Sequence, residues 1–339
     1  FLIFSGVNLS QGTHLLGGDI TWTCNGAGQY VFQLSIFRDC SGPSVNIAGQ
    51  SLRIWNHPTD TLIPLNYLSQ RDISPTCTPV VGCPSAIDCA SGNGNAVEEF
   101  IFISAPITLA GIPPANGWAF TWDAFSRPTC DNLQNANTYG LTIRSIMYSN
   151  GGQNGSPCYD SSPQFISSPV YNSCNGNAFT FVQNASDPDV DSLVYAFDVP
   201  LDQIAAGIFN PPAFPVTVPY NTGYAFNNPM PDAGINASNI GATINPQSGD
   251  VDFTSFTNGR FIIVTRIESW RNGIKISDVF RELLIAVQNC GVNNSPVVTP
   301  PFASGTSYDT TIYAGENISF TISSNDPDTL QDGSPQTNT

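Results

Sequence analysis

Three aspartates at alternate positions, in ASDPDVDSL at 185–193, are the strongest candidates for chemistry in this sequence. Asp187, Asp189 and Asp191 fall in a turn between two strand-like runs. Carboxylates at this spacing converge on one hard cation, and Ca²⁺ prefers oxygen ligands. Alternatively, Asp-Pro-Asp is a turn whose side chains cap backbone amides. We expect a structural calcium ion here.

A second copy of this pattern lies near the end of the sequence, where Asp326, Asp328 and Asp332 predict a second calcium site. Glu268 enters the hairpin sequence Arg-Asn-Gly at 271–273 and is a candidate further ligand. The alternative for Glu268 is a solvated strand end.

Catalytic groups are few. The only histidines, His14 and His57, flank no nucleophile, and the adjacent Glu98 and Glu99 point to opposite faces of a strand, which argues against a glycosidase dyad. The five tryptophans are a candidate sugar platform, but core packing is favoured: Trp22, Trp55, Trp118, Trp122 and Trp270. We therefore do not expect an enzyme.

Composition restricts the partners. The 339 residues carry a net charge of −16 with only 11% charged residues, against roughly 25% in ordinary soluble domains. An acidic chain is repelled by phosphate backbones, so nucleic acid is not an expected partner. No apolar run of about 18 residues is present, so no membrane span is expected. A hydrophobic fraction of 41% is enough to form cores.

Nine cysteines in this weakly charged chain indicate an oxidising, extracellular compartment. The runs at 19–24 and 29–38 predict a hairpin that holds Cys24 and Cys40 at opposite ends, so a bridge between those two is disfavoured. Cys174 and Cys290 bracket the next strand-rich region. A bridge between them would close a long loop, where the entropic gain is greatest, so we predict this pair.

Alternation of apolar and polar residues with period two dominates the chain and predicts an all-β fold. We expect further strands at 98–104, 117–122 and 139–148, then at 260–268 and 276–290 around the turn Asn272-Gly273. Residues 41–95 are predicted to be long loops stapled by disulfides, and residues 159–172 a linker.

An internal repeat indicates tandem β-sandwiches, because GNAFTFVQNASDPD at 176–189 aligns with GENISFTISSNDPD at 315–328. We predict modules at 13–161 and 162–292, and at 293–339 the start of a third that is incomplete, as in the N-terminal piece of a longer polypeptide. Residues 1–12 resemble the end of a signal peptide cleaved near Gly12; the alternative is an edge strand at 1–6.

The segment THLLGGDITWTCNGAGQYVFQLSIFRDC at 13–40 resembles the opening of large type IX-secreted, gliding-motility-associated surface proteins of Bacteroidota. The resemblance continues through ASDPDVDSLVYAF, IESWRNG and SNDPDTLQDGSPQT, in order along nearly the whole chain. The chain departs from the family pattern at FSRPTCDNLQN, where only Cys130 stands in place of a cysteine pair.

The resemblance implies Ig-like or cadherin-like modules, export through the outer membrane, and roles in adhesins, filaments and motility. The O-glycosylation pattern of that phylum resembles segments that contain Thr61, Ser192, Thr310 and Thr329. We expect a secreted structural or adhesive protein, a subunit or stalk of a surface filament stiffened by calcium and disulfides. Its expected partners are copies of itself or neighbouring modules. The alternative is a ligand- or glycan-binding adhesin module that uses the 41–95 loops.

Overall fold

The protein is built from antiparallel strands, as the alternating pattern predicts. A computed structural model describes residues 14–59, 62–74, 88–90, 96–125, 127–150, 158–166, 168–169, 172–204, 207–289, 297–299, 311–313 and 315–325. The first strands are β1 (Leu15–Cys24), β2 (Tyr30–Asp39), β3 (Ser51–Trp55), β4 (Leu62–Asp72), β5 (Val97–Ser104), β6 (Trp118–Ala124) and β7 (Leu141–Met147).

The next strands are β8 (Gln164–Phe165), β9 (Asn172–Cys174), β10 (Ala178–Phe181), β11 (Ala185–Ser186), β12 (Ser192–Asp198), β13 (Ile240–Ile244), β14 (Val251–Thr254), β15 (Gly259–Arg271) and β16 (Ile274–Gln288). Within the described ranges, the one helical element is a 3-10 turn at Ala136–Thr138. None of the described helices is long and apolar enough to cross a bilayer. The predicted all-β, sandwich-like class is confirmed.

The main sheet closes on itself. Its strands run in the order β1-β2-β5-β4-β3-β6-β7-β16-β15-β12, and β1 also pairs with β16. Gly18 of β1 lies opposite Glu282 of β16, and a Cβ atom at Gly17 would overlap the Glu282 carbonyl. Glycine at this position therefore permits the close backbone approach that joins the ends of the sheet.

The described residues form two hydrophobic cores. The first is enclosed by the strands from β1 to β7 and contains the fully buried Trp22, Phe32 and Phe120. The second contains residues of β10 and β14, of the ends of β15 and β16 that lie away from their hairpin turn, and Leu16 and Phe37 from β1 and β2. Strands from both ends of the chain thus contribute to the second core.

The two predicted hairpins are confirmed. β1 and β2 pair from Leu15 to Cys24 around the turn at 25–28, and β15 pairs with β16 down to Arg271 opposite Ile274. Asn272 and Gly273 have φ angles of 53° and 77°. Such positive φ angles are what an Asn-Gly hairpin turn requires.

The prediction that 41–95 contains only loops is wrong, because β3 and β4 lie within it and complete the closed sheet. Leu52 and Ile54 alternate inward on β3, as do Ile63 and Leu65 on β4. The runs are short, and Pro64 interrupts the second. Proline is tolerated in a strand where its missing N–H is not needed.

The division between modules at 161 and 162 is not seen as a boundary in the structure. β16, from the predicted second module, pairs with β1 and β7 of the first, and residues 1–75 and 88–288 group as one compact unit. The predicted linker at 159–172 is not free in its described part either, since Asp160 and Ser162 are fully buried. β16 of the long β15–β16 hairpin pairs with β1 and β7, and the hairpin packs with Leu16 and Phe37 in the second core. These contacts join the two predicted modules.

The second compact unit comprises residues 76–87 and 289–339. Its described part contains β17 (Val297–Thr299) paired antiparallel with β18 (Ser323–Asn325). The predicted third module falls in this unit.

Candidate functional site

The predicted calcium-binding aspartates form a tight turn between β11 and β12. Asp187 Oδ1 accepts hydrogen bonds from the backbone N–H groups of Asp189 at 2.9 Å and Asp191 at 3.2 Å. Val190 between them has a φ of 64° and is exposed. One oxygen of Asp187 therefore caps backbone amides, as the alternative interpretation of this motif expects, and the other is left for a different partner.

Arg271 binds Asp191 with both sides of its guanidinium group. Its Nε lies 2.6 Å from Asp191 Oδ1 and its Nη2 lies 2.6 Å from Oδ2. The pairing of β12 with β15 creates this contact, because Ser192 lies opposite Trp270 in the register. Ser269, two residues before Arg271 on the same face, donates to Asp187 Oδ2 at 3.1 Å.

A fourth carboxylate, Asp160, reaches the same arginine from the 158–163 segment. Arg271 Nη2 lies 2.9 Å from Asp160 Oδ1, and Asp160 Oδ2 is buried without a hydrogen-bond partner. The segment is held against β1, where the Trp22 indole N–H donates to the Asp160 carbonyl at 3.1 Å. This segment lies in the predicted linker, and its sequence did not indicate that Asp160 would join the three other aspartates.

These four aspartates and Arg271 are here called the aspartate cluster. Their charges do not balance, because the carboxylates outnumber the single guanidinium group. Burial raises the pKa of Asp160, and the nearby Asp187 carboxylate raises it further, against the opposing effect of Arg271. Burial also raises the pKa of Asp187. The hydrogen bond to Asp191 raises the pKa of Arg271, so the guanidinium stays charged. One guanidinium cannot neutralise four ionised carboxylates at once, and with its raised pKa Asp160 is the carboxyl that keeps its proton up to about pH 9 when no cation is bound.

The oxygen atoms of the aspartate cluster are suitable ligands for a hard divalent cation. All the side-chain acceptors of the cluster are oxygens, as Ca²⁺ prefers, and Asp160 Oδ2 is a buried acceptor that lacks a donor. Arg271 holds both oxygens of Asp191 and one of Asp160. A bound cation would therefore share the carboxylates with Arg271 or displace it in part.

Glu268 is not brought to the cluster. It accepts from the Trp270 indole at 3.0 Å and pairs with Arg266 at 3.2 Å and Lys275 at 3.5 Å. These contacts lie on the other face of β15 from Ser269, because strand side chains alternate. The predicted second site, Asp326, Asp328 and Asp332, lies outside the described residues.

The disulfides connect distant parts of the chain. Cys24 is bonded to Cys158 and Cys40 to Cys89, so the expectation that Cys24 and Cys40 do not pair is confirmed. Cys174 is disulfide-bonded, and since Cys290 is outside the described residues, the predicted pair of these two stays a prediction. Cys40, Cys89 and Glu98 lie within metal-ligand distance of one another, but both sulfurs are in a disulfide.

The other predicted positions are distributed over the molecule. Trp22 and Trp118 are fully buried and Trp122 nearly so, whereas Trp55 and Trp270 are half-buried. Glu98 and Glu99 are buried and pair with different arginines, Arg38 and Arg71. Ser192 is exposed at the start of β12. Thr61, Thr310 and Thr329 lie outside the described residues.

Comparisons with known protein families, with curated proteins and with solved structures found no match to this chain.

Proposed function

We propose that this chain is an extracellular structural or adhesive protein, a subunit or stalk of a cell-surface filament or appendage that is stiffened by calcium and disulfides. The observation that carries this proposal is the aspartate cluster. It connects the 158–163 segment with the turn before β12 and the end of β15, and one acceptor, Asp160 Oδ2, is buried without a partner.

Calcium in this cluster would be held by Asp160, Asp187 and Asp191, with Asp189 at its exposed edge. The ion would supply the positive charge that Arg271 alone does not provide. Since Cys158 in the same segment is bonded to Cys24 of β1, a cation and a covalent bond would fix one short segment from its two sides. Such cross-links limit local opening outside the cell, where no ATP-driven repair exists.

Location outside the cell is supported by the disulfides, which persist in oxidising compartments and are rare in the cytosol. The resemblance to type IX-secreted, gliding-motility-associated surface proteins of Bacteroidota adds export through the outer membrane to this proposal. Self-association or contact with neighbouring modules then provides the assembly. A non-enzymatic role is part of the same proposal.

Two measurements test it. Electron microscopy of the native protein on the cell surface should reveal regular subunits along a polymer axis, and isolated flexible strings would instead indicate an adhesin stalk. Calorimetry should show a lower Tm in EDTA than in calcium, because a ligand at about 100 times its Kd adds about 2.7 kcal/mol of stability. A Tm that does not respond to calcium would contradict the stiffening role.

The cluster variant Asp187→Asn and the matched control Asp252→Asn locate the calcium effect. Asp252 is an exposed aspartate of β14, so its variant removes the same charge away from the cluster. Only Asp187→Asn should lose the response. An equal response in both variants would place the calcium elsewhere.

A second function, a ligand- or glycan-binding module, is favoured by a separate observation. A groove of about 430 Å³ opens beside the β15–β16 hairpin. This volume falls in the range of roughly 300–1,000 Å³ that is typical of small-molecule sites. No residue that lines the groove belongs to the 41–95 region that the sequence favoured for this role.

A further inference from the structure

The hairpin groove, as we call this cavity, has a polar floor formed by strands and an apolar wall formed by a loop. The floor comes from β12, β15 and β16 and from the end of β7, and it includes Arg144, Asp198, Arg266, Lys275 and Asp278. The wall belongs to the Pro- and Asn-rich stretch after β12. One side of an occupant would meet charged groups and the other an apolar surface.

The floor is a ladder of paired charges. Asp198 accepts from Arg144 at 2.9 Å and from Arg266 at 3.0 Å, while Asp278 accepts from Lys275 at 3.0 Å and from the Tyr148 hydroxyl at 2.7 Å. These mutual contacts hold donors and acceptors in fixed positions before any ligand arrives. Such preorganisation reduces the ordering cost of binding.

The charges on the floor balance. Three cations, Arg144, Arg266 and Lys275, stand against two lining carboxylates, and Glu268 at the border pairs with Arg266 and Lys275. The groove therefore selects neither a cation nor an anion. The overall charge of −16 further disfavours anionic ligands.

An acceptor on this floor is left without a donor. Asp278 is 3% exposed, and its Oδ1 has no hydrogen-bond partner. A buried carboxylate oxygen in this state costs free energy until a donor reaches it. A ligand with hydroxyl groups supplies such a donor and can also accept from neighbouring side chains.

The wall presents flat apolar surfaces. Phe209, Pro211 and Pro212 line it, and Phe209 is backed by Trp55, whose ring lies 6.1 Å away at an interplanar angle of 26°. At the floor, Phe280 lies under the Arg144 guanidinium at 4.1 Å. An aromatic ring fixed from behind is a rigid contact surface of low entropic cost.

We propose that the hairpin groove binds a neutral sugar unit of a glycan. The apolar face of the sugar ring lies on Phe209, and its hydroxyl groups donate to Asp278 and accept from Arg266 and Lys275. A neutral carbohydrate is the ligand class that combines an apolar face with an edge of hydroxyls and carries no charge. This inference rests on the second function proposed above and not on the calcium-stiffened filament.

Lys275 provides a direct readout, because it is the only lysine in the chain and its side chain is partly exposed in the groove. The full chain is treated with acetic anhydride alone or with methyl glycosides of glucose, galactose, mannose or N-acetylglucosamine. Glucuronic acid serves as the anionic comparison. Mass spectrometry of the Lys275 peptide separates its acetylation from that of the N-terminus.

At least one neutral glycoside should slow the acetylation of Lys275, and glucuronic acid should not. Phe209→Ala should raise the glycoside concentration needed for half-maximal protection about tenfold, the scale of one lost aromatic contact. Phe209→Leu should also raise this concentration, although it keeps apolar volume at the position. Phe226→Ala is the matched control, since Phe226 is exposed and is not among the groove residues. In this variant, the glycosides should protect Lys275 as well as they do in the wild type.

Failure of all neutral glycosides to protect Lys275, or protection by glucuronic acid alone, would overturn the inference. Protection that is unchanged in both Phe209 variants would do the same. Glycan binding by the protein without protection of Lys275 would leave the second function standing at another surface and reject this groove. The calcium and microscopy measurements need no sugar, so their failure is separately recognisable.

Discussion

Arg271 and Asp191 form a two-point ion pair, with Nε to Oδ1 and Nη2 to Oδ2 both at 2.6 Å. Arg271 stands in the last position before the hairpin turn, and Asp191 immediately precedes β12. The pair fixes the end of β15 to the aspartate turn. Nη2 of the same arginine also reaches the buried Asp160, so one side chain connects three segments.

Replacement of this arginine should expose the excess charge of the cluster. Arg271→Gln should lower the free energy of unfolding in EDTA by about 3–5 kcal/mol, because it leaves buried carboxylates uncompensated. Calcium should restore part of the loss, since the cation meets no competing guanidinium. Urea unfolding with and without calcium measures both effects.

Arg53→Gln is the matched control, because Arg53 is an exposed arginine of β3. It should change stability by no more than about 0.5 kcal/mol. A loss in Arg271→Gln that is the same in EDTA and in calcium would contradict cation binding by the cluster.

The stability of the metal-free protein should fall as pH rises. Burial and the neighbouring Asp187 raise the pKa of Asp160 to about 9, while in the unfolded chain an aspartate titrates near 4. Between these values the folded state binds more protons than the unfolded state, so the free energy of unfolding decreases by up to about 1.4 kcal/mol per pH unit. Above about pH 9 this contribution is constant.

Asp160→Asn should flatten this fall, because the amide does not titrate. Urea midpoints in EDTA at about pH 5, 7 and 9 provide the comparison, with the exposed Asp252→Asn as control. A pH profile of Asp160→Asn that is parallel to that of the wild type would rule out Asp160 as the titrating group.

The Cys24–Cys158 bond should contribute strongly to stability. It joins residues 134 apart in sequence, and a bond that closes so long a loop removes much unfolded-state entropy. The double variant Cys24→Ser, Cys158→Ser should lose about 2–5 kcal/mol. Chemical denaturation under non-reducing conditions measures the difference.

Cys130→Ser is the comparison for that variant, since Cys130 is a free, partly buried cysteine. Its effect should be smaller than that of the double variant. Equal losses would indicate that the cost comes from replacing a cysteine with serine and not from the missing bond.

A buried ion pair links β16 to the segment before the 3-10 turn. Arg127 is 1% exposed, pairs with Glu282 and donates to the Leu201 carbonyl at 2.7 Å. Arg127→Met should cost about 3–5 kcal/mol, because Glu282 is left buried without its partner. Adding Glu282→Leu should recover part of the loss, and urea unfolding of the three proteins tests this. A double variant less stable than Arg127→Met alone would contradict this account.

Local pattern was sufficient where neighbours in sequence are neighbours in space. Alternation over 19–24 and 29–38 predicted the β1–β2 hairpin, and Asn272-Gly273 predicted the turn between β15 and β16. The same reasoning missed β3 and β4, because their runs are short and Pro64 lies in one of them. Pairing within the closed sheet supplies the stability that these sequences lack alone.

The sequence by itself determined the all-β class, the acidic charge, the expectation of disulfides and the turn that carries Asp187, Asp189 and Asp191. Only the tertiary structure decided that Asp160 and Arg271 meet that turn and that Glu268 faces away from it. The physical reason is that these contacts depend on strand register and sheet closure between residues up to 111 positions apart. Such long-range pairing leaves no periodic signal in the residues that it brings together.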